Sequence, residues 1–143
     1  MLEAKVKSAY LYNFTKFVSW PDRSNGPVTV CVIGAPKVAK LLEELASRQG
    51  GKFKVITSPE ADLSRCHILY IARGSADIKR FLSKVKGQQI LTVSDSELFA
   101  QRGGVVGFFA ERGKMRFEIN IVTAREANIK ISSKLLELAR VVE

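Results

Sequence analysis

The sequence contains few of the residues on which enzyme and metal sites are usually built. Its 143 residues include a single histidine, His67, and two cysteines, Cys31 and Cys66. The cysteines form no CxxC motif and no histidine cluster accompanies them, so the available ligands do not support a zinc site. Each cysteine lies in or just before an apolar run. That pattern leaves two interpretations open, a pair of buried thiols or one disulfide between neighbouring strands.

Long hydrophobic runs are also missing. No apolar run approaches the roughly 20 residues that a membrane-spanning helix needs. No signal peptide is visible, because Met1 is followed at once by a charged, amphipathic segment. Composition does not decide between a cytosolic protein and an exported protein whose leader has been removed.

Nucleotide-binding and catalytic motifs are absent as well. No G-x-G-x-x-G follows the first predicted strand, where Gly34 stands alone before Pro36, and there is no P-loop. Cys66 and His67 are neighbours on a predicted strand and would point to opposite faces, so they cannot act as a nucleophile and its base. We therefore expect no enzymatic activity, no metal and no cofactor.

Charge is the most unusual property of the composition. The chain has 23 basic and 14 acidic residues, a formal net charge of +9 and a pI near 9.8. Such a balance is typical of proteins with acidic partners, nucleic acid or membrane surfaces. The basic residues are evenly spread, however, with no run longer than two and no interleaved aromatic residues. This distribution favours a solubilising surface, and we expect no nucleic-acid binding.

Local signals are densest between Gln89 and Asn120. They predict a buried strand, a short helix capped by Ser94 or Asp95, and a hairpin that turns at Gly113. Gly103 is expected to have a positive φ at the end of the short helix. The corresponding ranges are Ile90–Val93 for the strand, Glu97–Arg102 for the helix, and Val105–Phe109 with Met115–Ile121 for the hairpin.

The rest of the chain alternates predicted helices and strands. The first helix runs from about Glu3 to Ser19, with an apolar face that comprises Val6, Ala9, Tyr10, Phe14, Phe17 and Val18. Further strands are predicted at Val28–Ile33, Phe53–Ile56 and Cys66–Ala72, and further helices begin near Pro36, Ile78, Thr123 and Ser132, the last with Val142 on its apolar face. This order predicts a single α/β domain over residues 1–143. Its mixed, mainly parallel sheet has about six strands, including a C-terminal hairpin.

Two groups of residues are candidates for recognition. The loops after the parallel strands meet at the carboxyl edge of the sheet, where open α/β folds bind ligands. They contribute Gly34, Gly74, Ser75, Ser94 and Asp95. The first helix has an aromatic stripe that includes Tyr10 and Phe14, with Trp20 following. Such a stripe is usually part of the core, but it also occurs in ligand pockets and dimer contacts.

Several segments together resemble one family. They are AYLYNFTKFVSWP in the first helix, VCVIG and CHILYI in two strands, the LTVSD–RGG–G–RFEIN block, and ISSKLLELARVV at the end. In their order and spacing, from about Lys7 to Val142, they are similar to the YfiR family of periplasmic regulators. The resemblance implies a three-layer, Rossmann-like α/β sandwich, export to the periplasm with removal of a leader, and no enzymatic activity.

The resemblance also bears on the cysteines. Cys31 and Cys66 match the positions of a disulfide in the family, so it implies that they are bonded. The founding member has a second cysteine pair around the RGG segment. In this chain Gln101 and Phe108 occupy that neighbourhood, so a redox switch that uses the second pair cannot be inferred. A reduction-sensitive function of Cys31–Cys66 is a hypothesis.

The founding member of the family resembles a brake. It binds the periplasmic part of an inner-membrane diguanylate cyclase and holds the cyclase inactive, which lowers cyclic di-GMP and opposes biofilm formation, and it forms homodimers. For this chain the resemblance therefore implies a repressor that binds the periplasmic domain of a membrane-bound cyclase or sensor kinase, as a homodimer. The alternative function is a small-ligand sensor that feeds a sensor kinase, with its pocket among the helix aromatics or at the strand-end loops.

Overall fold

Helices and strands alternate along the chain. A computed structural model describes residues 2–23, 26–59, 62–74 and 77–143. The helices are α1 (Leu2–Phe17), α2 (Pro36–Arg48), α3 (Ile78–Val85), α4 (Ile121–Glu126) and α5 (Ser133–Leu138). The strands are β1 (Val18–Ser19), β2 (Val28–Ile33), β3 (Phe53–Ile56), β4 (Ile68–Ile71), β5 (Leu91–Ser94), β6 (Val106–Glu111), β7 (Lys114–Asn120), β8 (Lys130–Ile131) and β9 (Arg140–Val142).

Seven of the described strands form one sheet in the order β3-β2-β4-β5-β6-β7-β9. Neighbouring strands are parallel except for the β6–β7 hairpin, which is antiparallel. The predicted mixed, mainly parallel α/β sheet is therefore confirmed, with β9 as one strand beyond the expected six. The carboxyl ends of β2, β4 and β5 lie in register, because Ile33 pairs with Ile71 and Ile71 with Ser94.

Helices cover both faces of the sheet. Successive strand residues point to opposite sides, and the buried residues separate accordingly into two clusters. One cluster joins Val30 and Tyr70 of the strands to Leu11 of α1 and Leu42 of α2. The other joins Cys31 and Leu69 to Phe81 of α3. These two cores make the molecule the three-layer sandwich that the family resemblance implies.

The first helix is shorter than predicted. It ends at Phe17, and Val18–Ser19 is an extended segment that pairs antiparallel with β8 through Val18 and Ile131. The backbone N–H of Ser132 also donates a hydrogen bond to the Phe17 carbonyl at 2.8 Å. The distant β8 segment thus supplies hydrogen-bond partners for the extended backbone of Val18–Ser19. No signal within the first helix predicts this pairing.

The fourth helix begins earlier than the predicted start near Thr123. The α4 helix begins at Ile121, and Asn120 caps it: its Oδ1 accepts hydrogen bonds from the backbone N–H groups of Val122 and Thr123 at 2.9 and 3.1 Å. The Thr123 hydroxyl instead donates to the carbonyl of Gly104 at 2.8 Å. An asparagine at the end of a strand therefore starts the next helix without a loop.

The last helix also ends earlier than predicted, at Leu138. Arg140–Val142 forms β9, which runs parallel to β7. Two guanidinium nitrogens of Arg140 donate to one carboxylate oxygen of Glu118, at 2.7 and 3.0 Å, and the guanidinium lies 4.1 Å from the centre of the Phe109 ring. Glu118 is buried. The ion pair holds the C-terminal segment against the sheet, which explains why the predicted helix does not extend to Val142.

The short helix expected over Glu97–Arg102 is reduced to one 3-10 turn, Ala100–Arg102. Neither of its predicted caps acts on it. Ser94 Oγ accepts a hydrogen bond from the Ser96 N–H at 3.0 Å, and Asp95 has a different partner, described below. Gly103 ends the turn with φ 111°, in the left-handed region that the sequence predicted.

Candidate functional site

An ion pair lies at the carboxyl edge of the sheet, where the sequence predicted recognition. The Lys7 ammonium of α1 donates a hydrogen bond to Asp95 Oδ2 at 2.7 Å, just beyond the end of β5. The other carboxylate oxygen, Asp95 Oδ1, accepts from the backbone N–H of Arg73 at 2.7 Å. The Lys7 and Asp95 side chains are almost buried, with 9% and 13% of their surface exposed, respectively. Asp95 therefore connects α1, β5 and the segment after β4.

The surroundings of Asp95 keep it ionised. Burial acts to raise the pKa of this carboxyl, but the hydrogen bonds from Lys7 and Arg73 and the charge of Lys7 outweigh it, so the pKa lies below its usual value. Burial, followed by the charge and hydrogen bond of Asp95, raises the pKa of Tyr70 far above its usual value. The neutral Tyr70 hydroxyl lies beside a carboxylate that is already paired with Lys7, so no free base is available to accept its proton. The arrangement is thus a structural clamp rather than an acid-base pair.

Lys7 was missed at the level of sequence, although a signal was present. The buried residues of α1 are Lys7, Ser8, Leu11 and Phe14, so the lysine lies in the buried stripe, four residues before Leu11. A lysine in such a position needs a counter-ion. The predicted apolar face was displaced from this stripe, and Ala9, which it included, is exposed.

A cleft of about 640 Å³ lies between α3 and the segment that follows β5. Residues from the start of α3 and from the segment after β5 meet here, and the predicted role of the carboxyl edge of the sheet in recognition stays a prediction. We call this cleft the α3 cleft, and it is lined by Asp77, Ile78, Lys79, Leu82, Ser96, Phe99 and Arg102. Its apolar surface comes from Ile78, Leu82 and Phe99, while Lys79 and Arg102 contribute positive charge.

The RGG segment shapes one wall of the α3 cleft. A Cβ atom on Gly104 would overlap the ring of Phe99, so only glycine allows that ring to pack against the backbone. A Cβ on Gly103 would lie 3.8 Å from the Leu82 side chain, which shows how closely this turn approaches α3. The glycines of the LTVSD–RGG–G–RFEIN block thus place Phe99 beneath the cleft.

Leu98 is exposed on the segment that follows β5, between the cleft residues Ser96 and Phe99. Half of its surface, 51%, is accessible, and its φ of 59° lies in the left-handed region. Left-handed backbone is rare for a leucine and costs conformational energy. Neither feature was visible in the sequence, because Leu98 was assigned to a helix.

The aromatic stripe of α1 is part of the core. Phe14 is fully buried and the Tyr10 ring is half-buried, and both contact Phe108 and Phe117 on the face of the sheet that α1 covers. The Tyr10 hydroxyl donates a hydrogen bond to the Met115 carbonyl at 3.0 Å. These contacts place Tyr10 and Phe14 in the interior between α1 and the hairpin. Of these two side chains, only Tyr10 has exposed surface.

Trp20 lies at the opposite, amino-terminal edge of the sheet. Its indole Nε1 donates to the His67 carbonyl at 3.1 Å, and its ring meets the His67 ring edge-on at 5.2 Å between centroids. His67 Nδ1 accepts a hydrogen bond from the Thr29 N–H at 3.0 Å. Burial, followed by the charge of Arg23, lowers the pKa of His67 to about 4. His67 is thus a neutral structural acceptor at physiological pH.

A disulfide lies next to this edge. Cys31 and Cys66 are bonded, with their Cα atoms 5.7 Å apart, and both are completely buried. The Arg23 guanidinium, which the sequence did not single out, donates to the carbonyls of Cys66, Ser64 and Gln89 at 2.6, 3.0 and 3.1 Å. These contacts fasten the segment after Trp20 to the start of β4.

The remaining predicted site residues are not brought together. Gly34 is exposed, has a φ of 76° and lines a separate cleft with Pro36 and Thr57. Gly74 also has a positive φ, and a Cβ there would meet open space. Ser94 is fully buried, and Ser75 lies outside the described residues. The predicted role of these residues in recognition stays a prediction.

The described parts of the chain contain no cluster of three or more His, Cys, Asp or Glu side chains that would hold a metal ion. In the same residues, every buried polar side-chain atom has a hydrogen-bond partner. None of the described helices combines the length and apolar character needed to cross a bilayer.

Comparison with known proteins identifies the family. A search of curated proteins returns no significant match. A family model described as YfiR/HmsC-like matches residues 4–140, which include the ion pair, the α3 cleft, the RGG segment and both cysteines. Because this match extends over nearly the whole chain, the protein belongs to the YfiR/HmsC-like family.

Proposed function

We propose that this protein is a non-enzymatic periplasmic regulator that represses a membrane-bound signalling enzyme of the diguanylate cyclase type. It acts by binding the periplasmic domain of that enzyme and lowers cyclic di-GMP. The observation that carries the proposal is the family match over residues 4–140, because members of this family are periplasmic regulators.

The structure supports a role in binding. The charged groups Lys7, Asp95 and Arg23 all have their hydrogen-bond partners within the fold. The Cys31–Cys66 disulfide is typical of an oxidising compartment such as the periplasm. A rigid scaffold with a basic surface is well suited to hold an acidic partner.

The experiment that tests the proposal uses the membrane protein encoded beside this one. Its purified periplasmic domain should bind the oxidised protein in a pull-down and by titration calorimetry. In cells, expression of this protein with an export leader should lower cyclic di-GMP, whereas the same protein without a leader should not. Absence of binding together with unchanged cyclic di-GMP would overturn the proposal. Sedimentation of the purified protein tests the homodimer that the family resemblance implies.

A further inference from the structure

Leu98 combines two properties that do not help the protein to fold. Its side chain is 51% exposed, and its backbone has a φ of 59°. Glycine or asparagine would adopt this conformation with less strain and without exposing apolar surface. Residues held in unfavourable backbone conformations concentrate at functional sites. Leu98 is therefore a residue whose presence needs an explanation outside folding.

The position of Leu98 suggests that explanation. It lies between Ser96 and Phe99, which both line the α3 cleft, and its carbonyl accepts hydrogen bonds from Gln101 and Arg102 at 3.1 and 3.0 Å. Leu98 is not itself a lining residue, but the turn carries it between two residues that line a concave surface whose apolar part is formed by Ile78, Leu82 and Phe99. An exposed apolar side chain next to an apolar cleft is a common form of protein-binding surface.

The charge around the α3 cleft is mainly positive. Helix α3 carries Lys79, Arg80 and Lys84 and no acidic residue, and Arg102 lies on the opposite wall. Among the described residues, none of these four side chains forms an ion pair. Two carboxylates lie nearby: Asp77, which accepts a hydrogen bond from the Arg80 N–H at 3.4 Å, and the exposed Glu97. The balance leaves a net positive rim without internal partners.

We propose that Leu98 and the α3 cleft form a docking surface for an acidic segment of a partner protein. In this complex an apolar side chain of the segment enters the cleft beside Leu98, and its carboxylates face Lys79 and Arg102. The proposal deepens the function proposed above and rests on it only for the identity of the partner, the periplasmic domain of the repressed enzyme.

An anionic membrane or a nucleic acid fits this surface less well. Both present dense phosphate charge, which would lie close to the carboxylates of Asp77 and Glu97. The phosphate backbone of a nucleic acid also offers no apolar group for the surface formed by Ile78, Leu82 and Phe99. A peptide with spaced carboxylates and one apolar side chain satisfies the cations and the cleft together.

Two substitutions test the surface without harming the fold. Leu98→Asn removes the apolar side chain and retains a residue that tolerates positive φ. Lys79→Glu reverses one rim charge and places an acidic group in the first turn of α3, which is favourable for the helix. Matched controls are Leu138→Asn, which removes the exposed leucine at the end of α5, and Lys54→Glu, which makes the same charge change on β3.

Binding is measured by fluorescence anisotropy and calorimetry with two probes. One is the periplasmic domain of the neighbouring membrane enzyme, and the other is a short labelled peptide of glutamate and leucine. We expect Leu98→Asn and Lys79→Glu each to weaken binding of both probes by about tenfold or more, because anchor residues dominate such interfaces. The controls should change affinity by less than about threefold. A glutamate-only peptide should bind more weakly than the mixed peptide.

The outcomes separate the two proposals. If the periplasmic domain binds and the cleft variants bind as tightly as the controls, the docking surface is overturned while the function stands. If only the peptide binds, and the cleft variants lose it, the surface is supported and the proposed partner is wrong. If the cleft variants weaken binding of neither probe, or if neither probe binds the wild-type protein, the docking surface is overturned. Binding to phosphatidylglycerol vesicles is measured with the same variants. If the cleft variants weaken it as much as they weaken binding of the two probes, the surface is assigned to lipid and the proposal is also overturned.

Discussion

At the scale of single residues, packing explains glycines that conformation alone does not. Gly103 has a positive φ, which is a sufficient reason for glycine. Gly104 has no such conformation, and its role is to let the Phe99 ring contact the backbone. The two neighbouring glycines of the RGG segment therefore answer different physical requirements, and substitutions at the two positions should be distinguishable.

Gly104→Ala is the sharper of these substitutions. The added Cβ would overlap the Phe99 ring, which is 2% exposed. We expect the free energy of unfolding to fall by about 3 kcal/mol, the upper range for overpacking. Chemical denaturation followed by circular dichroism gives this value. The double variant Gly104→Ala/Phe99→Ala should lose less than the sum of the single losses, since the clash needs both side chains. Additive losses would contradict the packing account.

The fluorescence of Trp20 should report the protonation of His67. These two residues are the only tryptophan and the only histidine in the sequence, and their rings lie 5.2 Å apart. A protonated imidazole quenches indole fluorescence. Because burial lowers the pKa of His67 to about 4, we expect Trp20 emission to fall with a midpoint near pH 4 rather than near pH 6.5. A midpoint above pH 6 would show that His67 is not held in the described environment.

The same pKa makes stability depend on pH with a defined sign. Between pH 6.5 and pH 4 the unfolded chain takes up a proton at His67 that the folded protein does not, so unfolding becomes easier as the pH falls. Urea denaturation at pH 7 and pH 5 should show this loss. His67→Asn retains an acceptor for the Thr29 N–H and removes the titration, so its stability should change less between the two pH values. Equal changes in both proteins would contradict the assignment.

At the scale of elements, the Lys7–Asp95 ion pair holds α1 against the ends of the strands. Removing one partner leaves a nearly buried charge without compensation. We expect Lys7→Met to lower the free energy of unfolding at pH 7 by about 3 kcal/mol. Lys5→Met, on the exposed side of the same helix, should change it by less than about 0.5 kcal/mol. The double variant Lys7→Met/Asp95→Asn should recover part of the loss; no recovery would show that lost packing, not unpaired charge, is responsible.

Sequence patterns predicted those elements whose own residues determine them. The continuous apolar run of β2 and the periodic apolar positions of α3 each indicate burial without reference to the rest of the chain, and both elements form as expected. Two of the element boundaries that were wrong depend on distant partners. β1 needs β8, and β9 needs the Glu118–Arg140 ion pair. A three-residue strand contains too little periodicity to predict such a partner.

The candidate site was predictable to a similar extent. Parallel strand order places the loops after β4 and β5 at one edge, and Asp95 accepts a hydrogen bond from the Arg73 N–H there, a contact that the sequence did not predict. Lys7 was also accessible to prediction, because it lies on the helical stripe of Leu11 and Phe14. Leu98 was not, since its importance depends on a backbone dihedral angle and an exposure that no residue pattern encodes.

At the scale of the whole molecule, one of the two cores contains a covalent bond between segments that are distant in sequence. Cys31 and Cys66 are separated by 35 residues in sequence, and their bond fixes the start of β4 against β2. In the unfolded chain the same bond closes a long loop and so reduces conformational entropy. By the chain-entropy model this stabilises the folded protein by about 4 kcal/mol. A marginally stable domain would lose a large part of its stability without the bond.

Replacing both cysteines, Cys31→Ser/Cys66→Ser, should therefore lower the free energy of unfolding by about 4 kcal/mol under oxidising conditions. The difference should largely vanish when the wild-type protein is unfolded and refolded in excess dithiothreitol, because both chains then lack the cross-link. A difference that persists in the reductant would assign the loss to the serine hydroxyls in the buried core instead. Partner binding by the variant, measured well below its unfolding temperature, then separates the two roles of the bond. Unchanged affinity would make it a structural bond only, whereas a loss of affinity in a folded variant would support a reduction-sensitive brake.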